Sequence, residues 1–374
     1  MHFVSSGRGK LAALSNTIGT RWRLRQLFVG LTLLSLLALT ACGGLSTGSA
    51  PSATPAPERV NGFGTRLNHV HALLALPGNV LVLATHYGLF RSPDAGKNWT
   101  LVAAGPNQLM DGLMTTSLVV SSLDPQRLFV LTQPALNDHK GTLGLYTSAD
   151  QGRTWKLAIP NSQIGDMYFA QPGNDNAEEV YTYIRKLGAQ GLKVSRDAGE
   201  HFSTTGTLPF PDILGMLALP GAPGQLLVYG NEGVARSMDS GAHWQNVSGV
   251  QGAVFGMTTS GTHSPVYATG DAGTYASADG GKSFTLVQQQ AAYAALTASP
   301  VQSKELYGKT GTAIYHSTDG GHSWQPLPHI KGNLQSLAAD PANGAVLYLA
   351  LSYPTEMYRF DQNSAQWISL TPQS

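Results

Sequence analysis

One eight-residue pattern recurs along this chain and constrains its fold more than any other feature. Six copies fit Ser-x-Asp-x-Gly-x-x-aromatic: Ser92, Asp94, Gly96 and Trp99, then Ser148, Asp150, Gly152 and Trp155, then Ser195, Asp197, Gly199 and Phe202. The set continues with Ser237, Asp239, Gly241 and Trp244, Ser277, Asp279, Gly281 and Phe284, and Ser317, Asp319, Gly321 and Trp324. A seventh copy is degenerate: it keeps Asp361, puts Asn363 in place of the glycine, and carries Trp367 one residue late. The aromatic positions are 56, 47, 42, 40, 40 and 43 residues apart, a period that suits four-stranded blades repeated around an axis.

The residues between the boxes support that reading. A short β-rich run precedes most boxes, as at Val80–Ala84, Leu128–Leu131, Val180–Tyr183, Leu226–Tyr229, Val266–Thr269 and Val346–Leu349. Another apolar run lies upstream and is often closed by a turn signal such as Pro77-Gly78 or Asp124-Pro125. Each unit reads as strand, turn, strand, loop, strand, Asp-containing turn, strand. No segment after residue 60 carries a long helical period. The box has a physical logic. The aspartate accepts backbone N–H groups of a tight turn, the glycine supplies positive φ, and the ring packs beneath the hairpin. The expected fold class is all-β: one seven-bladed β-propeller of four-stranded blades over residues 61–374. Six blades plus a cap is the alternative, because the last box is poor. How the ring closes is open at this point; Arg59–Arg66 is a candidate for an extra strand on the last blade.

The pattern resembles the Asp-box, or bacterial neuraminidase repeat, of sialidases, sortilin-type receptors, some endoglucanases and photosystem II assembly factors, all of them β-propellers. The resemblance implies that Asp94, Asp150, Asp197, Asp239, Asp279, Asp319 and Asp361 are structural. Box histidines such as His243 and His322 then read as solvated turn residues.

The first 60 residues read as an address and a tether. Arg21, Arg23 and Arg25 precede an apolar run from Leu27 to Ala41, too short to span a bilayer comfortably and suited to a signal-peptide core. The run ends in Leu39-Thr40-Ala41-Cys42, which resembles the bacterial lipoprotein signal. The only cysteine of the chain stands where that signal needs a thiol to take a diacylglyceryl group. We expect residues 1–41 to be a signal peptide, Cys42 to carry the lipid, and residues 42–60, rich in Gly, Ser, Thr and Pro, to be a flexible tether. The protein is then secreted and lipid-anchored to the outer face of the cytoplasmic membrane or the cell envelope. Removal of five basic residues (Arg8, Lys10, Arg21, Arg23, Arg25) turns a formal charge of +1 into 18 basic against 22 acidic residues, a net of −4. The near-neutral charge argues against a nucleic-acid partner, and the mildly acidic balance disfavours electrostatic docking on anionic lipid. A single cysteine also excludes an internal disulfide and any thiolate cage for zinc.

Chemistry is harder to read. Asp111, Asp166 and Asp212 each lie at or just before the first strand of a blade, so they could ring one mouth of the channel. They are weak catalytic candidates, with turn or strand-start capping as the competing role. Sialidases usually carry an early Arg-Ile-Pro and an arginine triad; here Arg91, Arg196, Arg236 and Arg359 recur beside the boxes instead. Gly281-Lys282-Ser283 mimics the end of a phosphate loop but belongs to a box. Tyr87, Tyr168, Tyr293 and Tyr353 are candidates for stacking on sugars, against core packing.

The histidines give a sharper idea. His69 and His71, two apart on a strand, share a face, and His86 lies on the next strand or its turn. Three imidazoles suit a transition metal, against a role as polar channel lining. His69-Val-His71 and Ala84-Thr-His86-Tyr-Gly-Leu-Phe90 resemble motifs of bacterial Asp-box lipoproteins labelled glycosyl hydrolases. Ala72 replaces the glycine of that set, and Thr132-Gln133-Pro134 stands where a Gly-His-Pro is expected, so one candidate ligand is missing.

The favoured reading is a membrane-anchored, non-catalytic binding or assembly scaffold with a protein or glycan partner. It resembles the photosystem II stability and assembly factor family. That family carries an arginine-rich patch across neighbouring blades, and no such concentration occurs here, so the fold carries over and the partner does not. A glycan-binding protein or sialidase-like glycoside hydrolase is the second reading, and a metal binder through His69, His71 and His86 the third. No cofactor is required by the first.

Overall fold

The computed structural model describes Phe63 and residues 67–135, 138–289 and 293–372. The expected signal peptide, Cys42 and the tether lie outside the described residues. Blade 1 is built from β1 (Val70–Leu76), β2 (Val80–Thr85), β3 (Gly88–Ser92) and β4 (Thr100–Ala103). Six further sheets follow over residues 113–160, 170–204, 215–246, 254–289, 295–326 and 333–369. Each contains four antiparallel strands in simple chain order. The first strands of successive blades adjoin one another, and the first strand of blade 7 (Asn333–Ala339) adjoins β1, so the ring closes. This is a seven-bladed β-propeller, and the degenerate last box heads a complete blade. Helix among the described residues is confined to two short pieces, Asn161–Ile164 and a 3-10 turn at Arg185–Gln190. Among the described residues no helix is long and apolar enough to cross a membrane.

The second strands are the heart of each blade. β2 (Val-Leu-Val-Leu-Ala-Thr) and Val346–Ser352 are buried at every position, because both sheet faces pack on a neighbouring blade. Blade 7 draws all four strands from residues 333–369. Of Arg59–Arg66 only Phe63 is described, and its ring packs against Phe90 and Trp99 of blade 1, at 5.3 and 5.2 Å between centroids. Closure runs through side chains. The Val70 amide donates to Ser352 Oγ at 2.8 Å, and Val70, Leu73, Leu81 and Leu83 of blade 1 share a core with Val346, Tyr348, Ala350 and Met357 of blade 7.

The repeated turn is a compact hydrogen-bond unit. In all six full copies the serine hydroxyl donates to the aspartate Oδ1 at 2.7–2.9 Å and accepts the glycine amide at 2.8–2.9 Å. The same Oδ1 takes the amide four residues on. Oδ2 takes that residue's side chain, from Asn98, Thr154, His201, His243, Ser283 or Ser323. His243 is therefore more than a solvated turn residue: its Nδ1 stands 2.7 Å from Asp239 Oδ2 while the ring stays exposed. His322 is likewise exposed and lies 2.8 Å from the Asp319 carbonyl. Each box glycine has φ between 76° and 93°, which explains why only glycine recurs there. Each tryptophan of the full copies closes the loop by donating Nε1–H to the carbonyl of its box glycine at 3.0–3.1 Å.

Two arginines beside boxes staple neighbouring blades. Arg91 Nε donates to the Gln151 carbonyl in the box of blade 2, and Arg236 Nε to the Gly280 carbonyl in the box of blade 5. In blade 7, Arg359 occupies the serine position and meets Asp361 Oδ2 at 3.3 Å, a looser turn. Replacing Ser237 by Ala strands the Gly241 amide and one Asp239 lone pair, so urea unfolding should show a loss of about 1–3 kcal/mol. Asp361→Ala should cost clearly less; an equal or larger loss would contradict the account of the degenerate turn.

Candidate functional site at the closure seam

The chain order of a blade separates its two ends. The β1–β2 turn and the Asp-containing turn lie at one end. The β2–β3 turn and the connectors between blades lie at the other. Asp111, Asp166 and Asp212 sit in three successive connectors, two to four residues before Leu113, Ala170 and Gly215, and so share the second end. The histidines lie there too.

Local structure brings the three imidazoles together. His69 immediately precedes β1, and His86-Tyr87 forms the two-residue turn between β2 and β3. The His86 amide donates to the His69 carbonyl at 2.9 Å, and the Tyr87 amide to Oδ1 of buried Asn68 at 3.1 Å. These bonds fold the turn over the start of the strand. Val70 pairs with Thr85 and Ala72 with Ala84, so His71 is the extra residue of a β-bulge. Simple two-residue alternation along a regular strand is therefore not what positions the pair: one histidine lies just outside the strand, and the other is re-aimed by the bulge.

The His69 ring is the centre of the group. It lies 4.6 Å from His71 and 4.7 Å from His86 between centroids, and the last two are 6.5 Å apart. From across the seam Tyr353 of blade 7 stacks on His69 at 5.0 Å, and Tyr87 meets His86 edge-on at 4.5 Å. One ligand nitrogen from each histidine falls within 4.8 Å of the other two. His69 Nδ1, His71 Nε2 and His86 Nδ1 are buried atoms with no hydrogen-bond partner. Burial lowers all three pKa values, and neighbouring rings add to it for His86, through His69, and for His71, which falls to about 4 through desolvation first and then His69 and His86. Near neutral pH the group is uncharged and offers lone pairs.

The other candidates are placed differently. Asp111 is buried; its Oδ2 accepts the Asn107 amide at 2.8 Å, and Lys140 Nζ lies 4.0 Å away. Asp212 is ion-paired with Arg185 Nε at 3.0 Å, and that guanidinium also lies 3.7 Å over the Tyr168 ring. Asp166 is exposed and meets Asn161 Nδ2 at 3.4 Å. Tyr353 and Tyr168 are exposed at 54% and 42%, although Tyr168 also lies under Arg185 and Tyr353 against His69. Tyr293 is buried at 2% and packs 4.5 Å from Trp324, so it is a core residue and not a sugar platform. Sequence reasoning missed a buried network at the opposite end. Glu305 there accepts from Gln362 of blade 7 at 2.7 Å and lies 2.9 Å from His316 Nε2. Nothing in the local sequence links residues 57 positions apart.

No family model matches the chain. Over 168 aligned residues, 36% of this chain and 20% of the relative, it is 26% identical to xyloglucanase Xgh74A of Acetivibrio thermocellus. Its structure superposes on the GH74 enzyme of Niastella koreensis with a TM-score of 0.66 at 14% identity, over 82% of this chain and 54% of that one. The GH74 xyloglucanase of Xanthomonas campestris gives 0.64 at 18% identity, over 83% and 55%. YCF48 bound to D1 peptide gives 0.57 at 12% identity, over 80% and 95%. The fold is that of GH74 and YCF48 propellers. The chain spans about a fifth of the curated xyloglucanase and about half of each GH74 structure.

The lowered histidine pKa values have a consequence for stability. His71 is pushed down to about 4 when folded, against about 6.5 for a free imidazole in the unfolded chain, so the unfolded chain binds more protons between those values. Its contribution is complete above about pH 6.5 and is lost as pH falls towards 4. In EDTA-treated protein, the melting temperature should fall through this window, and His71→Gln should flatten the fall. An unchanged slope in the variant would show that His71 is not held neutral.

Proposed function

We propose that this protein is a non-catalytic binding or assembly propeller of the cell exterior, held to a membrane through lipidated Cys42. Its connector end faces a protein or glycan partner. The supporting observation is the state of that end. Two of its three candidate carboxylates are committed, Asp212 to Arg185 and Asp111 to a buried turn, while Tyr353 and Tyr168 stand exposed. A general acid–base pair needs two available carboxyl groups roughly 5–10 Å apart across an open groove. A YCF48 propeller of similar fold binds D1 peptide, so a peptide ligand fits this architecture.

The xyloglucanase relationship favours a second reading, in which the same end takes a β-glucan. Two measurements separate the readings. Pull-down from solubilised membranes with the lipidated protein should retain a protein partner, and Tyr353→Ala should reduce the yield. Incubation with xyloglucan should release no reducing sugar. Release that disappears in Asp166→Asn or Asp212→Asn would replace the scaffold reading with a hydrolase. Cys42→Ala should move the protein from the membrane to the soluble fraction; retention in the membrane would remove the anchor.

A further inference from the structure

We propose that His69, His71 and His86 form a binding site for a divalent late first-row transition metal, of the zinc or copper class, at the seam where the first and last blades meet. Four observations carry it. First, each histidine presents a nitrogen within 4.8 Å of the other two, from a strand lead-in, a bulge and a hairpin turn of one blade. Second, His69 Nδ1, His71 Nε2 and His86 Nδ1 are buried and unpartnered, whereas buried polar atoms in folded proteins nearly all have a partner. Three neighbouring imidazoles, each with a buried unpartnered nitrogen and each offering a nitrogen within 4.8 Å of the others, suit a shared electron-pair acceptor.

Third, the donor set selects the ion. Neutral imidazole suits zinc, copper and nickel, while magnesium and calcium demand oxygen ligands. Nitrogens around a tetrahedral zinc stand roughly 3.3 Å apart at bond lengths of about 2.0–2.1 Å, so small rotations of the half-buried rings close the present spacing. Fourth, the surroundings support the rings. Hydrogen bonds from the His86 and Tyr87 amides fix the turn on residues 68 and 69, and Tyr353 stacks on His69. Three protein ligands leave one tetrahedral position for water or an incoming ligand, the arrangement of an open rather than a closed zinc site.

Tyr353 belongs to blade 7 and the histidines to blade 1, so a bound ion also reinforces ring closure. Metal that binds only the folded state raises its stability by mass action. The proposal is independent of the partner proposed above.

The test uses untagged protein, stripped with EDTA and titrated calorimetrically with zinc and, separately, copper(II), with metal content measured after dialysis. One ion per chain is expected, with a higher melting temperature and, for copper, nitrogen couplings in the electron paramagnetic resonance spectrum. His71→Ala and His86→Asn should each weaken binding by more than about tenfold, the effect usual even for loss of an outer-shell partner. Exposed His329→Ala should leave it unchanged. Metal-free melting curves of each variant establish that it is folded. Binding that is absent for both ions, or that survives intact in folded His71→Ala and His86→Asn, overturns the proposal.

Discussion

A propeller stands or falls on the contact between its first and last blades, because every other interface joins neighbours in the chain. Among the described residues that contact is made by side chains and one backbone-to-side-chain hydrogen bond. The Val70 amide reaches Ser352 across 282 positions of sequence, and an apolar seam of β1 and β2 residues against Val346, Tyr348 and Met357 excludes water around it. The entropy of closing so long a loop grows only logarithmically with its length, so a modest seam can hold the ring. The outer ends of the blades are stabilised locally and repeatedly, by a serine, an aspartate and a glycine that satisfy one another within five residues.

This division of labour explains where chemistry can reside. The Asp-containing turns are spent on their own backbone; Asp197, Asp239, Asp279 and Asp319 all have pKa values held down near 2 by the hydrogen bonds they accept. The opposite end carries no Asp-containing box, and its connectors between blades differ in length and composition. The imidazole cluster, the exposed tyrosines and the connector carboxylates all collect there. The cluster further sits on the closure seam, so a ligand bound to it acts where the ends of the ring meet.

Much of the fold was legible from residue spacing. The runs expected as strands before the boxes coincide closely with second strands, Val180–Tyr183 without a residue of difference. The seventh blade was less legible, because Arg359 and Asn363 erase the serine and glycine of its turn; strand pairing from Val346 to Asp361 supplies what the motif lacks. Among site residues, the triad His69, His71 and His86 was visible as a spacing, but its convergence depends on a bulge and on Asn68, neither of which leaves a mark in local sequence. Tyr353 and the Glu305–Gln362 contact depend on blades meeting across long stretches of chain. The role of Tyr293 was misleading for the same reason: an exposed and a buried tyrosine look alike until the neighbouring Trp324 is in place.

The sequence alone determined the repeat, and with it the all-β class, the blade period and the structural assignment of the box aspartates, because each box satisfies its hydrogen bonds within a few residues. Tertiary structure decided the number of complete blades, the manner of closure and which polar groups remain unspent. Those properties belong to contacts between residues far apart in the chain. Whether a buried imidazole nitrogen or a carboxylate has a partner is settled only when every neighbouring surface is present.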